Sequence, residues 1–258
     1  MRASTDSLFQ IGSITMISRA ARAGAAAGIV GPAAFTGAWI VSSLRQTGYP
    51  AAEIQISGLA APDARDPWVM VAGFVVLGGC TVAFGSALRQ ALGGRGGVGQ
   101  GRWRGGAGPA PRLIQGAGLL TIAAGLLRRD RMLLTPGSVS WHNHAHDVIS
   151  AVIYADLVVA QVLLAERFGR HRGGPEPGWR PWRPWLLASG VATGAVLVAF
   201  AADTSAPGAG VLQRVAVTIP LVAIAAIATR VAAGNPSSIP MDSPLVSRRV
   251  IGVHERRS

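Results

Sequence analysis

Six long apolar stretches constrain this chain more than any other feature of its sequence. A helix needs roughly 20 apolar residues to cross the hydrocarbon core of a bilayer, and most of the six stretches are close to that length. The third is the shortest. We therefore predict an all-α, polytopic membrane protein in which six transmembrane helices form one bundle. The expected helices cover residues 23–44, 68–88, 113–127, 148–165, 185–202 and 215–231.

The composition agrees with a lipid environment. Half of the 258 residues are hydrophobic and 14% are charged, whereas about a quarter are charged in soluble domains. Unpaired charge is costly in hydrocarbon, so a surface that faces lipid contains little of it. We expect a single membrane domain over residues 23–231, with disordered cytoplasmic tails at 1–22 and 232–258.

The basic residues indicate the orientation. All 24 are arginine, and the net charge is +12. With a cytoplasmic N-terminus, eighteen arginines fall on the cytoplasmic side and six on the other. Cytoplasmic loops are enriched in basic residues, so we predict both termini in the cytoplasm and a multi-pass protein of the cell membrane. Arginines beside apolar segments also contact lipid headgroups. We expect membrane lipids as partners and no nucleic acid.

Small residues and one proline carry further predictions about packing. The pairs Gly24/Gly28 and Gly190/Gly194 have the four-residue spacing that lets membrane helices approach closely. Pro220 lies within the sixth apolar stretch. It predicts either a simple kink or a broken helix that lines a polar cavity.

Histidine and aspartate residues crowd the predicted outer face. The segment Trp141–Asp147 leads into the fourth apolar stretch. In a helix, His142 and His146 lie four residues apart on one face, and two imidazoles at this spacing can bind one zinc ion. His144 points elsewhere. A third ligand is expected from the aspartates at neighbouring helix ends, which are Asp66, Asp130 and Asp203.

Three interpretations of this outer cluster stay open. In the first it is structural, because Asp147 and Asp66 precede apolar stretches and can cap the helix N-termini, while the histidines hydrogen-bond to loop carbonyls. In the second it holds zinc. In the third it is a metal-free polar or catalytic site, with its candidate catalytic residues among Asp66, Asp130 and Asp203.

Asp156 lies near the middle of the fourth apolar stretch. An ionisable residue at such a depth is a functional candidate. We expect it to be protonated, or paired with a polar group such as Gln115 or Gln161. A hydrogen-bonded structural role and a proton relay are both compatible with its position.

The chain resembles a bacterial family of six-span membrane proteins, domain of unknown function 998, from about Ala23 to Val231. The resemblance rests on short motifs in a fixed order, namely Gly28-Ile-Val-Gly-Pro32, Ile56-Ser57-Gly58-Leu59, Trp68 with Ala72-Gly73-Phe74, His142-xxx-His146 and Gly210-Val-Leu-Gln-Arg214. It implies a six-helix integral membrane protein without an established activity. It also implies an acidic residue shortly before the histidine pair, for which Asp130 is the candidate.

These features predict an outward-facing His/Asp site in an integral membrane protein. With zinc at His142 and His146, the site would activate water to hydrolyse a lipid or an amide; without zinc, it would sense a lipid or a small hydrophobic ligand. A proton-linked transporter or channel subunit that uses Asp156 is one alternative. A non-catalytic membrane scaffold is another. The sequence leaves the oligomeric state open.

Overall fold

The computed structural model describes residues 19–93, 107–132, 139–169, 179–202, 204 and 207–233. Over these ranges the chain forms six α-helices, a 3₁₀ helix and no strand, which confirms the all-α prediction. The α-helices are α1 (Arg19–Arg45), α2 (Pro67–Gly93), α3 (Ala110–Leu126), α4 (Trp141–Gly169), α5 (Trp182–Ala202) and α6 (Ala209–Ala232), and the 3₁₀ helix spans Ile56–Ala60. Residues 1–18 and 234–258 of the expected tails lie outside the described ranges.

Five of these helices are long and apolar enough to cross a membrane, and α3 is the exception. With 17 residues at about 1.5 Å each, α3 is roughly 25 Å long. The hydrocarbon core of a bilayer is about 30 Å thick. The predicted membrane character therefore holds for five helices, whereas the expected count of six spans does not follow from helix length.

All six helices begin earlier than the apolar pattern predicts, and three of them begin at least four residues earlier. α1, α4 and α6 begin at Arg19, Trp141 and Ala209, where residues 23, 148 and 215 were expected. The onset of apolar residues marks where lipid contact begins, not where the helix begins. Polar residues such as His142 and Arg214 tolerate the helical conformation, so each helix extends beyond its apolar stretch.

Consecutive helices pack side by side and alternate in direction, and α6 returns to α1, so that the six helices form a ring. Gly24 near the start of α1 lies against Ala87 near the end of α2, and Gly73 near the start of α2 lies against Ala38. The same antiparallel relation holds along the rest of the ring. The 3₁₀ helix lies at one end of this ring. We call this end the 3₁₀ end and the other the opposite end.

Glycine allows the closest contacts of the bundle. A Cβ atom at Gly28 would lie 2.7 Å from both Ala228 of α6 and Phe84 of α2, so the Gly24/Gly28 pair packs as its spacing predicts. The second pair behaves differently. A Cβ atom at Gly190 would lie 3.6 Å from Gln161 of α4, whereas one at Gly194 would meet nothing within 4 Å. α5 therefore packs closely at Gly190 but not one turn later.

Two apolar clusters hold the ring together. The larger lies towards the opposite end and includes Phe84, Leu164 and Ile227 from three different helices. The smaller lies at the 3₁₀ end, where Leu59 packs with Phe35 and other side chains of α1 and α2. The packing of these side chains is incomplete in the half of the bundle nearer the 3₁₀ helix, where it leaves a cavity.

Candidate functional site

Arg129, just after α3, is the most buried arginine of the 3₁₀ end, with 7% of its surface exposed. Its guanidinium donates hydrogen bonds to Gln55 Oε1 and, at 3.3 Å, to Asn143 Oδ1. Asn143 in turn donates to Asp147 at 2.9 Å. Burial lowers the pKa of Arg129 from its ordinary value, while Asp147 and Asp130 oppose this effect. This network links the residues just after α3 and the first turns of α4 to the segment before the 3₁₀ helix.

Asp130 fixes the residue that precedes α4. Its two carboxylate oxygens accept hydrogen bonds from the backbone N–H of Ser140 at 2.6 Å and from the Ser140 hydroxyl at 2.5 Å. These bonds lower the pKa of Asp130, and nearby His142 and Arg129 lower it further. Both oxygens are thus engaged in a contact that holds the start of α4.

Asp66 binds a different partner. Its carboxylate forms an ion pair with the Arg45 side chain at 2.8 Å, on an exposed edge between α1 and α2. Asp203, the third predicted ligand or catalytic aspartate, lies outside the described residues. The structure therefore places Asp130 near His142 of the histidine pair, whereas the carboxylate of Asp66 is paired with Arg45.

The three histidines of the predicted zinc site have different surroundings. His142 is exposed and stacks on Trp141 with ring centroids 3.8 Å apart. His144 is also exposed, whereas His146 is buried. Across the described ranges, no group of three or more His, Cys, Asp or Glu side chains is arranged to hold a metal ion. With Asp203 outside these ranges, zinc binding stays a prediction from the sequence.

His146 is anchored by two backbone carbonyls. Its Nδ1 lies 2.9 Å from both Ala124 O and Leu127 O at the end of α3. Because both partners are acceptors, Nδ1 carries the proton. In the neutral ring, Nε2 is then the acceptor. The prediction that a histidine hydrogen-bonds to loop carbonyls is confirmed for His146, and the ring faces a cavity.

The cavity lies inside the ring of helices and has a volume of about 80 Å³. Since a water molecule needs roughly 10–15 Å³ of such space, the cavity has room for several waters or for part of a larger molecule. Its walls are mainly apolar and come from α1, the 3₁₀ helix, α2, α3, α4 and α6. Among the described residues, no aspartate, glutamate or arginine lines it.

Five polar side chains in the wall have a donor or acceptor group that is not used in a hydrogen bond within the described residues. Ser57 is 4% exposed, and its hydroxyl has no hydrogen-bond partner. Gln213 accepts a bond from Ile56 N–H through Oε1 at 2.6 Å, which leaves its amide N–H groups. Within the described ranges, Ser150 and Tyr154 donate no side-chain hydrogen bond. The full set is Ser57, His146, Ser150, Tyr154 and Gln213.

Arg214 of α6 follows the cavity residue Gln213 and lies at the 3₁₀ end. Its guanidinium donates hydrogen bonds to Ile54 O at 3.0 Å, Gly210 O at 2.8 Å and the Tyr49 hydroxyl at 2.6 Å. It also lies over the Trp39 ring, 5.4 Å from its centroid. Burial raises the pKa of Tyr49, and Arg214 opposes this rise. The segment before the 3₁₀ helix is thus held against α1 and α6.

The cavity residues of α4 share a signal that the sequence interpretation missed. His146, Ser150 and Tyr154 are spaced by four residues, so they form a polar stripe on one face of the helix. The motif Ile56-Ser57-Gly58-Leu59 contributes to the family resemblance, but the sequence predicts no functional role for Ser57. Reading the helical period over polar residues, and not only over apolar ones, would have located the stripe.

Asp156 lies off this stripe, towards α3. A Cβ atom at Gly116 would be 3.4 Å from its carboxylate. The expected pairings with glutamine do not form, because Gln115 donates to Ser86 at 2.8 Å and Gln161 accepts from Ser189 at 2.5 Å. Asp156 is half-buried and has no hydrogen-bond or ion-pair partner within the described part of the chain.

A family model described as protein of unknown function, DUF998, matches residues 29–230. This match covers more than half of the chain and confirms the resemblance seen in the sequence motifs. No curated protein matches the chain, and neither does any solved structure.

Proposed function

The chain belongs to the DUF998 family of unknown function, and we propose that it binds a small hydrophobic ligand in the cavity of its membrane bundle. The observation that carries this proposal is the buried, unpartnered hydroxyl of Ser57 in a mainly apolar wall. A buried polar group without a partner costs about 1–3 kcal/mol. A ligand that supplies the missing hydrogen bond recovers part of this free energy.

The rest of the wall supports the same proposal. Ligand sites are mostly apolar concave surfaces with a few polar groups that fix orientation. Here the polar stripe of α4, Ser57 and Gln213 line the same cavity, and apolar residues such as Phe74 and Leu221 form the rest of its wall. A hydrophobic molecule with one polar group would fill such a space.

The proposal includes six crossings of the cell membrane, with both termini in the cytoplasm. α3 is counted as the sixth crossing because it packs antiparallel between α2 and α4, which are both long enough to cross. Its shortness is accommodated by local thinning of the bilayer or by arginines at its end. The eighteen-to-six division of arginines supports an outward-facing 3₁₀ end.

Photolabelling in vesicles tests the binding proposal. The probe is a monoacylglycerol with a diazirine in its chain. We expect saturable labelling of the cavity segments of α4 and α6. Ser150→Phe fills the cavity and should reduce this labelling about tenfold, which corresponds to roughly 1.4 kcal/mol. The matched control Val152→Phe alters a side chain of α4 that is 43% exposed and should label like the wild type. Equal labelling of both variants would refute the proposal.

Asp156 favours a second candidate function, proton-linked transport. Its carboxyl lies within an apolar helix and lacks a partner among the described residues, as expected of a group that binds and releases protons. The test is proton flux into vesicles with an internal pH-sensitive dye. We expect Asp156→Asn to abolish a flux that the wild type shows; the same flux in both would exclude a role for Asp156.

A further inference from the structure

α5 is the one helix of the ring that does not line the cavity. Its buried residues are Leu186, Ser189, Gly190 and Thr193, and none of them lies beyond the middle turn of the helix, counted from the opposite end. No residue of α5 after Thr193 is buried, and Val198 is 72% exposed. The half of α5 at the 3₁₀ end therefore contributes little to the packing of the bundle.

Gly194 marks where the close packing of α5 ends. Gly190 and Gly194 lie four residues apart on one face. The face meets α4 at Gly190, where a Cβ atom would lie 3.6 Å from Gln161, but it meets nothing within 4 Å at Gly194. Gly194 thus faces open space, which we call the gap, at the level where α4 and α6 line the cavity.

Packed layers lie between the cavity and both ends of the bundle. At the 3₁₀ end, Arg214 holds the preceding segment at Ile54 O, and Val211 N–H donates to Ala52 O at 3.1 Å. Towards the opposite end, the larger apolar cluster fills the ring with fully buried side chains, among them Leu164 and Leu186. A ligand from either aqueous phase would have to displace one of these layers.

The wall also limits the chemistry of the ligand. It offers hydroxyl, amide and imidazole groups, and none of the arginines, aspartates or glutamates that the structure describes lines it. Moving an ionised group into such surroundings without a counter-charge is costly, whereas an uncharged hydroxyl or ester needs only hydrogen bonds. An amphiphile with an uncharged headgroup fits this wall better than a fatty acid anion.

We infer that the ligand is an uncharged amphiphile that enters the cavity sideways from the bilayer, between α4 and α6 and past the half of α5 that follows Thr193. This inference rests on the proposed function, because it presumes a bound ligand. It adds the route of entry and the class of headgroup. A membrane-dissolved molecule would reach Ser57 and the polar stripe of α4 without crossing water.

The rate of labelling tests the route. The diazirine monoacylglycerol is mixed with protein in phosphatidylcholine vesicles and photolysed after increasing delays. Gly194→Trp fills the gap and should slow the approach to the plateau about tenfold, since a blocked entrance slows entry and exit alike. The plateau itself should stay unchanged. The control Gly37→Trp changes an exposed glycine of α1 that also faces open space, and it should behave as the wild type.

Three outcomes separate the claims. If the wild type is not labelled in the cavity, the proposed function fails. If Gly194→Trp and the smaller variant Gly194→Leu both reach the plateau as fast as Gly37→Trp, the lateral route fails and ligand binding stands. If a diazirine fatty acid, ionised at pH 9, labels the cavity as well as the monoacylglycerol does, the uncharged-headgroup claim fails.

Discussion

His146 and Arg129 are both buried and both held by neutral oxygen atoms. His146 Nδ1 lies against two carbonyls at the end of α3, and the Arg129 guanidinium lies against two side-chain amides. In each case the residue type was visible in the sequence, but the partner was not. Hydrogen bonds between residues distant in the chain depend on packing, which a single sequence does not reveal.

Removal of the Arg129 guanidinium should destabilise the 3₁₀ end. Arg129→Met leaves the oxygens of Gln55 and Asn143 without a donor, which costs about 1–3 kcal/mol. We expect a lower Tm of the purified protein in detergent. Arg131 is exposed, so Arg131→Met serves as the control and should leave Tm unchanged. Equal Tm values for the two variants would contradict a stabilising role for Arg129.

Asp130 should make the stability of the folded protein depend on pH in the acidic range. Its pKa is lowered in the folded protein from about 3.9 in an unfolded chain. The contact with Ser140 therefore contributes stability above pH 4, and this contribution is lost as the pH falls through the lowered pKa. Asp130→Asn should show a smaller loss of Tm between pH 6 and pH 3 than the wild type. An unchanged pH profile would count against this contact.

At the scale of elements, the sequence predicted the number and class of the helices well. Apolar composition over 15 to 22 residues is a strong signal because a lipid-facing helix has few alternatives. The helix starts and the cavity were harder to predict. His142 and Arg214 belong to helices although they are polar, and the cavity depends on how side chains from five helices and the 3₁₀ helix pack together.

The 3₁₀ segment depends on a glycine in α6. A Cβ atom at Gly210 would lie 2.6 Å from the carbonyl oxygens of Ala51 and Ile54, which are backbone atoms and cannot rotate away. We expect Gly210→Ala to displace this segment and lower Tm. Gly37→Ala, which meets open space, should leave Tm unchanged or raise it slightly because alanine favours helix. A Tm for Gly210→Ala equal to that of Gly37→Ala would show that the segment adapts freely.

At the scale of the whole molecule, the account requires the 3₁₀ end and the loop between α2 and α3 to lie on opposite sides of the membrane. Single cysteines at Glu53 and at Gly99, in a Cys80→Ser background, test this arrangement in intact cells. We expect an impermeant maleimide to label Glu53→Cys directly and Gly99→Cys only after permeabilisation. Labelling of both without permeabilisation would contradict the proposed topology.

Ligand binding within the bundle is the central claim, and thermal stabilisation by monoolein tests it most directly. A molecule that binds only the folded protein raises its stability by mass action, by about 2.7 kcal/mol at a hundred times Kd. Tm is measured in detergent with increasing monoolein for the wild type and for Ser150→Phe. The account predicts a saturable rise in the wild type and none in Ser150→Phe; an identical rise in both would mean that monoolein acts on the micelle and not in the cavity.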